Sequence, residues 1–136
     1  MHCLLVAATA AEISPFTEHL ATTEKLDHID FDIDLLITGV GSNATTYHLT
    51  RYLQHKKPDL VIQAGVAGAF DPQTPLGTVF AVTHDVYADQ GVQEKSGFQD
   101  IFDLKLANPN ELPYKKAMLV NPYTVLVKRT RLKKAK

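Results

Sequence analysis

One carboxylate follows directly on the first apolar run of the chain. Glu12 ends the segment AATAAE (residues 7–12), and the run CLLVAA (residues 3–8) precedes it. Thr9 and Glu12 have the spacing of a capping box, in which a hydroxyl and a carboxylate satisfy free amides at the start of a helix. The same spacing would also place the carboxylate at the carboxyl end of the first strand, in the crevice where ligands bind to parallel sheets. Spacing alone favours the cap, and the second use stays open.

Two glycine-rich segments could form the rest of a site. They are TGVGSNA (residues 38–44) and AGVAGAF (residues 64–70), and each follows an apolar stretch. Such segments serve either as tight turns or as a backbone wall that touches a small molecule. The first matches the dinucleotide pattern G-x-G-x-x-G/A, but Gln63 and Ala64 end the next strand where an acid is expected. Neither segment has the G-K-[ST] ending of a triphosphate loop, so we expect no cofactor.

The acidic segments do not have the spacing of a metal site. DFDID (residues 30–34) resembles the start of a calcium loop, but Leu35 and Gly41 occupy the positions where that loop needs glycine and glutamate. The histidine and acids of residues 84–89 fit no closed zinc set. Cys3 lies in an apolar run and is predicted to be a small buried hydrophobe. We therefore predict no metal.

Hydrophobic periodicity predicts the elements that position these segments. Alternation over residues 29–37 places apolar groups on one face of a strand and Asp30, Asp32 and Asp34 on a wet face, and Ser42 is predicted to cap the second helix. Beyond Asp89 we expect loop, a short helix and a last apolar segment. The predicted strands are residues 3–8, 29–37, 59–64 and 77–88, the helices are 12–22, 43–56 and 99–105, and the last segment is 116–120.

This order of elements predicts an α/β fold with a mostly parallel central sheet, flanking helices and right-handed crossovers. In such sheets ligands bind at the carboxyl ends of the strands. All three segments described above follow strand ends. They are therefore expected to lie together at one edge of the sheet.

Composition indicates one soluble domain and a separate tail. The chain has 136 residues, 45% of them hydrophobic and 21% charged, and no apolar run of membrane-spanning length. We expect a cytoplasmic protein without a membrane partner. Residues 128–136 hold six lysines and arginines and no acid. The tail, residues 124–136, is predicted to be a disordered end, although a basic tail that follows the phosphates of a nucleic acid is the alternative.

Four longer motifs together resemble one superfamily, the nucleoside phosphorylases and nucleosidases. They are LLVAATAAEI, ITGVGSNATT, KPDLVIQAGVAGAF and PLGTVFAVTHDVYADQGV, and the resemblance covers residues 3–105. YADQGV followed by GFQDIFDL is similar to the futalosine hydrolase branch. The resemblance implies a nucleoside phosphorylase-like fold of which residues 1–123 would be the N-terminal portion, so that the chain looks truncated.

The same resemblance implies roles for individual residues. Glu12 would hold and deprotonate the attacking water. The position of Val66 bears a hydroxyl in phosphorylases of the superfamily, and valine there makes water the expected nucleophile. The other implied substrate-binding positions are Val40 and Gly41, near the 5′ side of the nucleoside, and Ala67 and Gly68, which with Val66 would lie against ribose and base.

These roles predict hydrolysis of the N-glycosidic bond of a purine-type nucleoside, futalosine-like and part of menaquinone biosynthesis. The expected partners are the nucleoside substrate and further copies of the chain, and a nucleic-acid partner is not expected. In the superfamily, the acid that faces the base and the glutamate that grips the ribose come from a C-terminal half that this sequence does not contain. The alternative is a catalytically dead relic that binds nucleoside weakly or serves as an interaction module.

Overall fold

A three-stranded parallel sheet with two helices forms residues 1–70, the first of two units in the chain. The structure is a computed structural model that describes residues 1–22, 32–123 and 133–135. Its strand order is β2-β1-β3, which agrees with the predicted α/β class and parallel pairing. The elements are β1 (His2–Ala7), α1 (Ala10–Thr22), β2 (Asp32–Ile37), α2 (Ser42–His55) and β3 (Leu60–Gln63).

The core of this unit is the central strand β1. Its residues Cys3 to Ala7 are all buried, and Leu4 has no exposed surface. Leu5 and Ala7 pack with Ile13 of α1. A strand that is covered on both faces needs apolar side chains at successive positions, which explains the continuous run in the sequence. The predicted burial of Cys3 is confirmed.

Strand β2 corrects the prediction of a wet, carboxylate-lined face. Ile33 pairs with Cys3 and packs against the α1 side of the sheet, as the alternation predicts. Asp34 points to the opposite face, where Tyr52 of helix α2 and Lys56, directly after that helix, contact it. Asp32 is exposed, and Asp30 lies outside the described residues. A polar residue in the alternating pattern therefore contacts a helix here and keeps only 26% of its side chain exposed.

Asp34 collects three donors on one oxygen. Lys56 Nζ lies 2.6 Å from Asp34 Oδ2, the Tyr52 hydroxyl donates to the same oxygen, and His2 Nε2 is 3.2 Å from it. The hydrogen bond from Lys56, followed by that from Tyr52, lowers the pKa of Asp34 to about 2. Burial and the bond to Asp34 raise the pKa of Tyr52 to about 12. The cluster ties β1, β2 and the end of α2 together.

We expect the Asp34 cluster to make the stability of the chain depend on acid pH. A lowered pKa means that the stabilisation is present above the ordinary Asp value of 3.8 and is lost as the pH falls towards about 2. Asp34→Asn should lower the Tm by about 5 °C near neutral pH, and this difference should shrink through that window. Thermal unfolding of both proteins across the acid range measures it. Glu18→Gln, at an exposed position of α1, is the control, and an unchanging difference between wild type and Asp34→Asn would contradict the assignment.

The second unit, residues 71–136, contains short strands only among the residues described. Two of its strands are parallel, β4 (Phe80–Val82) and β10 (Lys133–Ala135). The others are antiparallel: β5 (His84–Asp85) pairs with β9 (Met118–Val120), β9 with β8 (Tyr114–Lys115), and β6 (Gly91–Glu94) with β7 (Gly97–Asp100).

This unit differs from the sequence-based prediction at three places. The single strand predicted at residues 77–88 is two short strands, β4 and β5. A hairpin, β6 and β7, replaces the loop predicted beyond Asp89. In place of the helix predicted at residues 99–105, residues 99–100 end β7 and residues 101–105 form turns. The Asp100 carboxylate stabilises these turns because it accepts hydrogen bonds from the amides of Phe102 and Asp103, each at 2.8 Å.

Residues 124–132 and 136 of the predicted tail lie outside the described residues. The division into residues 1–123 and 124–136 therefore stays a prediction. Over the described ranges, no helix has both the length and the apolar character needed to cross a bilayer.

Candidate functional site

The ends of β1 and β2 are joined by backbone hydrogen bonds that continue past the strands. The amide of Thr38 donates to Ala7 O and that of Gly39 to Ala8 O, each at 3.0 Å. The Thr38 side chain is buried, and its hydroxyl lies 3.2 Å from the hydroxyl of Thr45 in α2. Segments 7–12 and 38–44 thus lie side by side, as the topology predicts.

The backbone conformation of the GVG sequence explains why both of its outer residues are glycine. Gly39 has φ 81° and Gly41 has φ 95°, backbone geometry that residues with a Cβ rarely adopt. Gly41, not Ser42, is the N-cap of α2, and no side chain caps this helix. The predicted Ser42 cap is therefore wrong, because the positive φ that the turn requires falls one residue earlier. Val40, between the glycines, is 78% exposed.

The pairing of β1 with β3 brings Glu12 close to the glycine-rich segment of residues 64–70. The amide of Ala64 donates to Val6 O at 2.9 Å, which extends the pairing of the two strands. The Val66 amide then points at Glu12 Oε1, 3.4 Å away. A Cβ on Gly65 would lie 3.3 Å from that same oxygen, so the absence of a side chain at this position lets the carboxylate approach the backbone.

One carboxylate oxygen of Glu12 accepts the hydrogen bonds of the helix cap, and the other faces the backbone that follows β3. Its Oε2 accepts from the Thr9 amide at 2.9 Å and from the Thr9 hydroxyl at 3.2 Å. The Glu12 amide donates to Thr9 Oγ1 at 3.4 Å, which completes a reciprocal capping box. The two uses that the sequence left open are therefore compatible, because each oxygen has its own partners.

These donors hold the pKa of Glu12 below its ordinary value. The largest cause is the hydrogen bond from the Thr9 amide, followed by the one from the Val66 amide. The half-buried carboxylate is therefore ionised at neutral pH and can attract a cation or accept hydrogen bonds from water. A lowered pKa also makes it a weaker base than an ordinary glutamate.

The edge formed by these segments is open. Val66 is 81% exposed, and Ala67 and Gly68 are exposed as well. The Glu12 carboxylate is in contact with the Gly65–Val66 backbone, so the geometry does not place a closed cavity between them. Two cavities, of about 290 and 440 Å³, lie within residues 86–117 of the second unit, and none of the predicted site residues lines them.

Sequence reasoning missed two residues at this edge. Gly65 was not singled out within its segment, although its place directly after β3 could have indicated a close approach. Thr38 directly follows β2, its side chain is buried, and its hydroxyl donates to Gly39 O in the turn. In the described ranges, no group of three or more histidine, cysteine or acidic side chains could hold a metal ion.

We expect Gly65→Ala to displace the Glu12 carboxylate. The added methyl group would be 3.3 Å from Oε1, which is tight, and retreat of the carboxylate would lengthen its bond to the Val66 amide. The pKa of Glu12 should then rise towards its ordinary value. A carbon NMR titration of the Glu12 carboxyl measures this shift. Gly68→Ala is the matched control, because a Cβ there meets nothing within 4 Å, and equal pKa values in the two variants would contradict the prediction.

The chain is similar to curated proteins, among them a futalosine hydrolase. The chain is 30% identical, over 126 residues, to the futalosine hydrolase of Streptomyces coelicolor (strain ATCC BAA-471 / A3(2) / M145). No family model matches the chain. A search of solved structures also finds no match. The aligned region is 83% of this chain and 54% of the relative, so the chain spans about half the length of that protein. This similarity supports a nucleosidase-like relationship for the chain.

Proposed function

We propose that this chain takes part in hydrolysis of the N-glycosidic bond of a purine-type nucleoside, with futalosine as the substrate. The observation that carries the proposal is the ionised Glu12 carboxylate beside the Val66 backbone, in a chain similar to a futalosine hydrolase. The role in menaquinone biosynthesis, which the resemblance of the sequence motifs implies, and the cytoplasmic location belong to the same proposal.

The reaction needs negative charge close to the sugar. As the N-glycosidic bond breaks, positive charge develops on the ribose and negative charge on the departing base. A fixed carboxylate near the ribose stabilises that positive charge. Glu12 meets this requirement because its donors are in place before any substrate binds.

Glu12 also orients the water molecule. Oε2 accepts two hydrogen bonds from Thr9, whereas the hydrogen bond from the Val66 amide to Oε1 is long, and we assign a lone pair of Oε1 to a water proton. Because its pKa is lowered, we assign Glu12 chiefly to holding the water and stabilising the cation, and to accepting the proton as that water bonds to the ribose carbon. The proposal assigns no residue to protonate the base, so solvent supplies that proton.

The exposed backbone of residues 66–68 is proposed to lie against ribose and base, with Val40 and Gly41 at the 5′ side. Exposed amides and carbonyls in a segment without large side chains are suited to close contact with a small ligand. Val66 has no hydroxyl with which to hold phosphate. This supports water, not phosphate, as the nucleophile.

A direct assay tests the proposal. The purified chain is incubated with futalosine and, separately, with methylthioadenosine, and the free base is measured by chromatography. We expect release from futalosine that exceeds that of the Glu12→Gln variant. No difference between the two proteins would overturn catalysis by this chain.

The openness of the edge favours a second function, weak nucleoside binding without turnover. Val66 is 81% exposed, so a nucleoside would be only partly buried there. In that case futalosine would shift the NMR signals of residues 64–68 while no base is released. No shift and no release together would reject both functions.

We also propose that the chain forms homo-oligomers. Strands β2 and β3 lie at the edges of the sheet of residues 1–70, and each has exposed apolar side chains. Such strands are sites of association between chains. The exposed residues are Leu35, Ile37, Val61 and Ile62. Sedimentation of the purified chain tests this, and a monomer at assay concentration would contradict it.

A further inference from the structure

We propose that Thr9 is a positioning residue, which holds Glu12 by one oxygen so that the other oxygen, Oε1, is the one presented to the water. This inference deepens the proposed function and rests on it for the identity of the reaction. Whether Thr9 orients the Glu12 carboxylate is tested by NMR titration, independently of the reaction.

The argument begins with the division of contacts on Glu12. The Thr9 amide and hydroxyl both converge on Oε2, at 2.9 and 3.2 Å. The Glu12 amide returns a bond to the Thr9 hydroxyl at 3.4 Å, so that hydroxyl stands between the backbone and the side chain of the same residue. Two contacts thus hold Oε2, and the third holds the hydroxyl that makes one of them.

The opposite side of the carboxylate is only weakly held. The Val66 amide is 3.4 Å from Oε1, long for an N–H to oxygen hydrogen bond. Without the Thr9 hydroxyl, the carboxylate could rotate or exchange its two oxygens. The groups that lower the pKa of Glu12 are uncharged donors of Thr9, Val66 and Ala8, so orientation towards these dipoles determines its titration.

Position matters for the proposed chemistry because misplacement of a reacting group by about 1 Å can cost about 10²-fold in rate. Thr9 itself touches neither water nor substrate in this proposal. It acts through Glu12. A capping residue at this helix start therefore has a second role, which its spacing in the sequence does not reveal.

The test compares Thr9→Val, which removes the hydroxyl and keeps the shape and the amide, with Thr9→Ser, which keeps the hydroxyl. Thr17→Val is the matched control, since the Thr17 hydroxyl donates to Ser14 O on the same helix and does not bond Glu12. We expect the pKa of Glu12, from carbon NMR, to move upward in Thr9→Val and to return in Thr9→Ser. Base release by Thr9→Val should fall about 10-fold in kcat with little change in KM, and its acid limb should move to higher pH.

An unchanged Glu12 pKa in Thr9→Val overturns the inference, whether or not the chain releases base. A shift that Thr9→Ser does not reverse also overturns it, because the effect then arises from altered packing. If the wild-type chain releases no base, the proposed hydrolysis fails, and the NMR titration still decides whether Thr9 orients Glu12.

Discussion

Replacement of Glu12 by glutamine is expected to reduce release of base from futalosine by about 10²- to 10⁴-fold. Glutamine keeps the length of the side chain, and its carbonyl oxygen can still accept the Thr9 amide and hydroxyl at the position of Oε2. The cap and the helix should therefore survive. The negative charge that holds the water and stabilises the cationic ribose is lost.

The control for this variant lies on the same helix. Glu18→Gln removes one negative charge from an exposed position of α1, so it reproduces the change in net charge without touching the edge of the sheet. We expect Glu18→Gln to release base at the wild-type rate, measured by the same chromatographic assay. Equal rates for Glu12→Gln and Glu18→Gln would mean that Glu12 does not act in the reaction.

The pH dependence of the same reaction follows from the direction of the pKa shift. The pKa of Glu12 lies below its ordinary value of 4.5, so the carboxylate stays ionised as the pH falls through that value. The activity attributed to it should accordingly persist into mild acid. A glutamate without these hydrogen bonds would become protonated at a higher pH.

The fold of residues 1–70 could be predicted because each of its elements carries its own periodic pattern. The continuous apolar run of β1 indicates a strand covered on both faces, and the two helical patterns that flank β2 require crossovers. The alternating pattern of β2 does not show whether a polar side chain faces solvent or a neighbouring helix. Asp34 occupies a position that the alternation assigns to solvent, but its environment depends on where Tyr52 of α2 and Lys56 after it are placed.

The glycines show the same limit at the site. In sequence, Gly39, Gly41 and Gly65 look alike, yet the first two are needed for positive φ and the third for the approach of Glu12. Only coordinates separate these causes. The β6–β7 hairpin of residues 91–100 was missed for a related reason, because strands of four residues are too short to establish a period.

The largest expected loss of stability is that of Leu4→Ala. Leu4 lies in the central strand with 0% exposure, so truncation removes a buried side chain and leaves a cavity between elements that can close only in part. Such changes cost about 2–5 kcal/mol, a large part of the roughly 5–15 kcal/mol by which a domain is stable. We expect urea unfolding, followed by the helical circular dichroism of α1 and α2, to begin at much lower denaturant concentration.

Two further variants test whether the loss of stability in Leu4→Ala arises from lost packing. Leu4→Met conserves most of the volume and should cost less than about 1.5 kcal/mol. Leu53→Ala makes the same chemical change at a residue of α2 that is 40% exposed, where less surface is removed from contact, and its effect should be clearly smaller. If Leu53→Ala destabilised the chain as much as Leu4→Ala, β1 would not be the centre of the core. The positioning of Glu12 would then lose its support, because β1 leads directly into the turn that holds Thr9 and the start of α1.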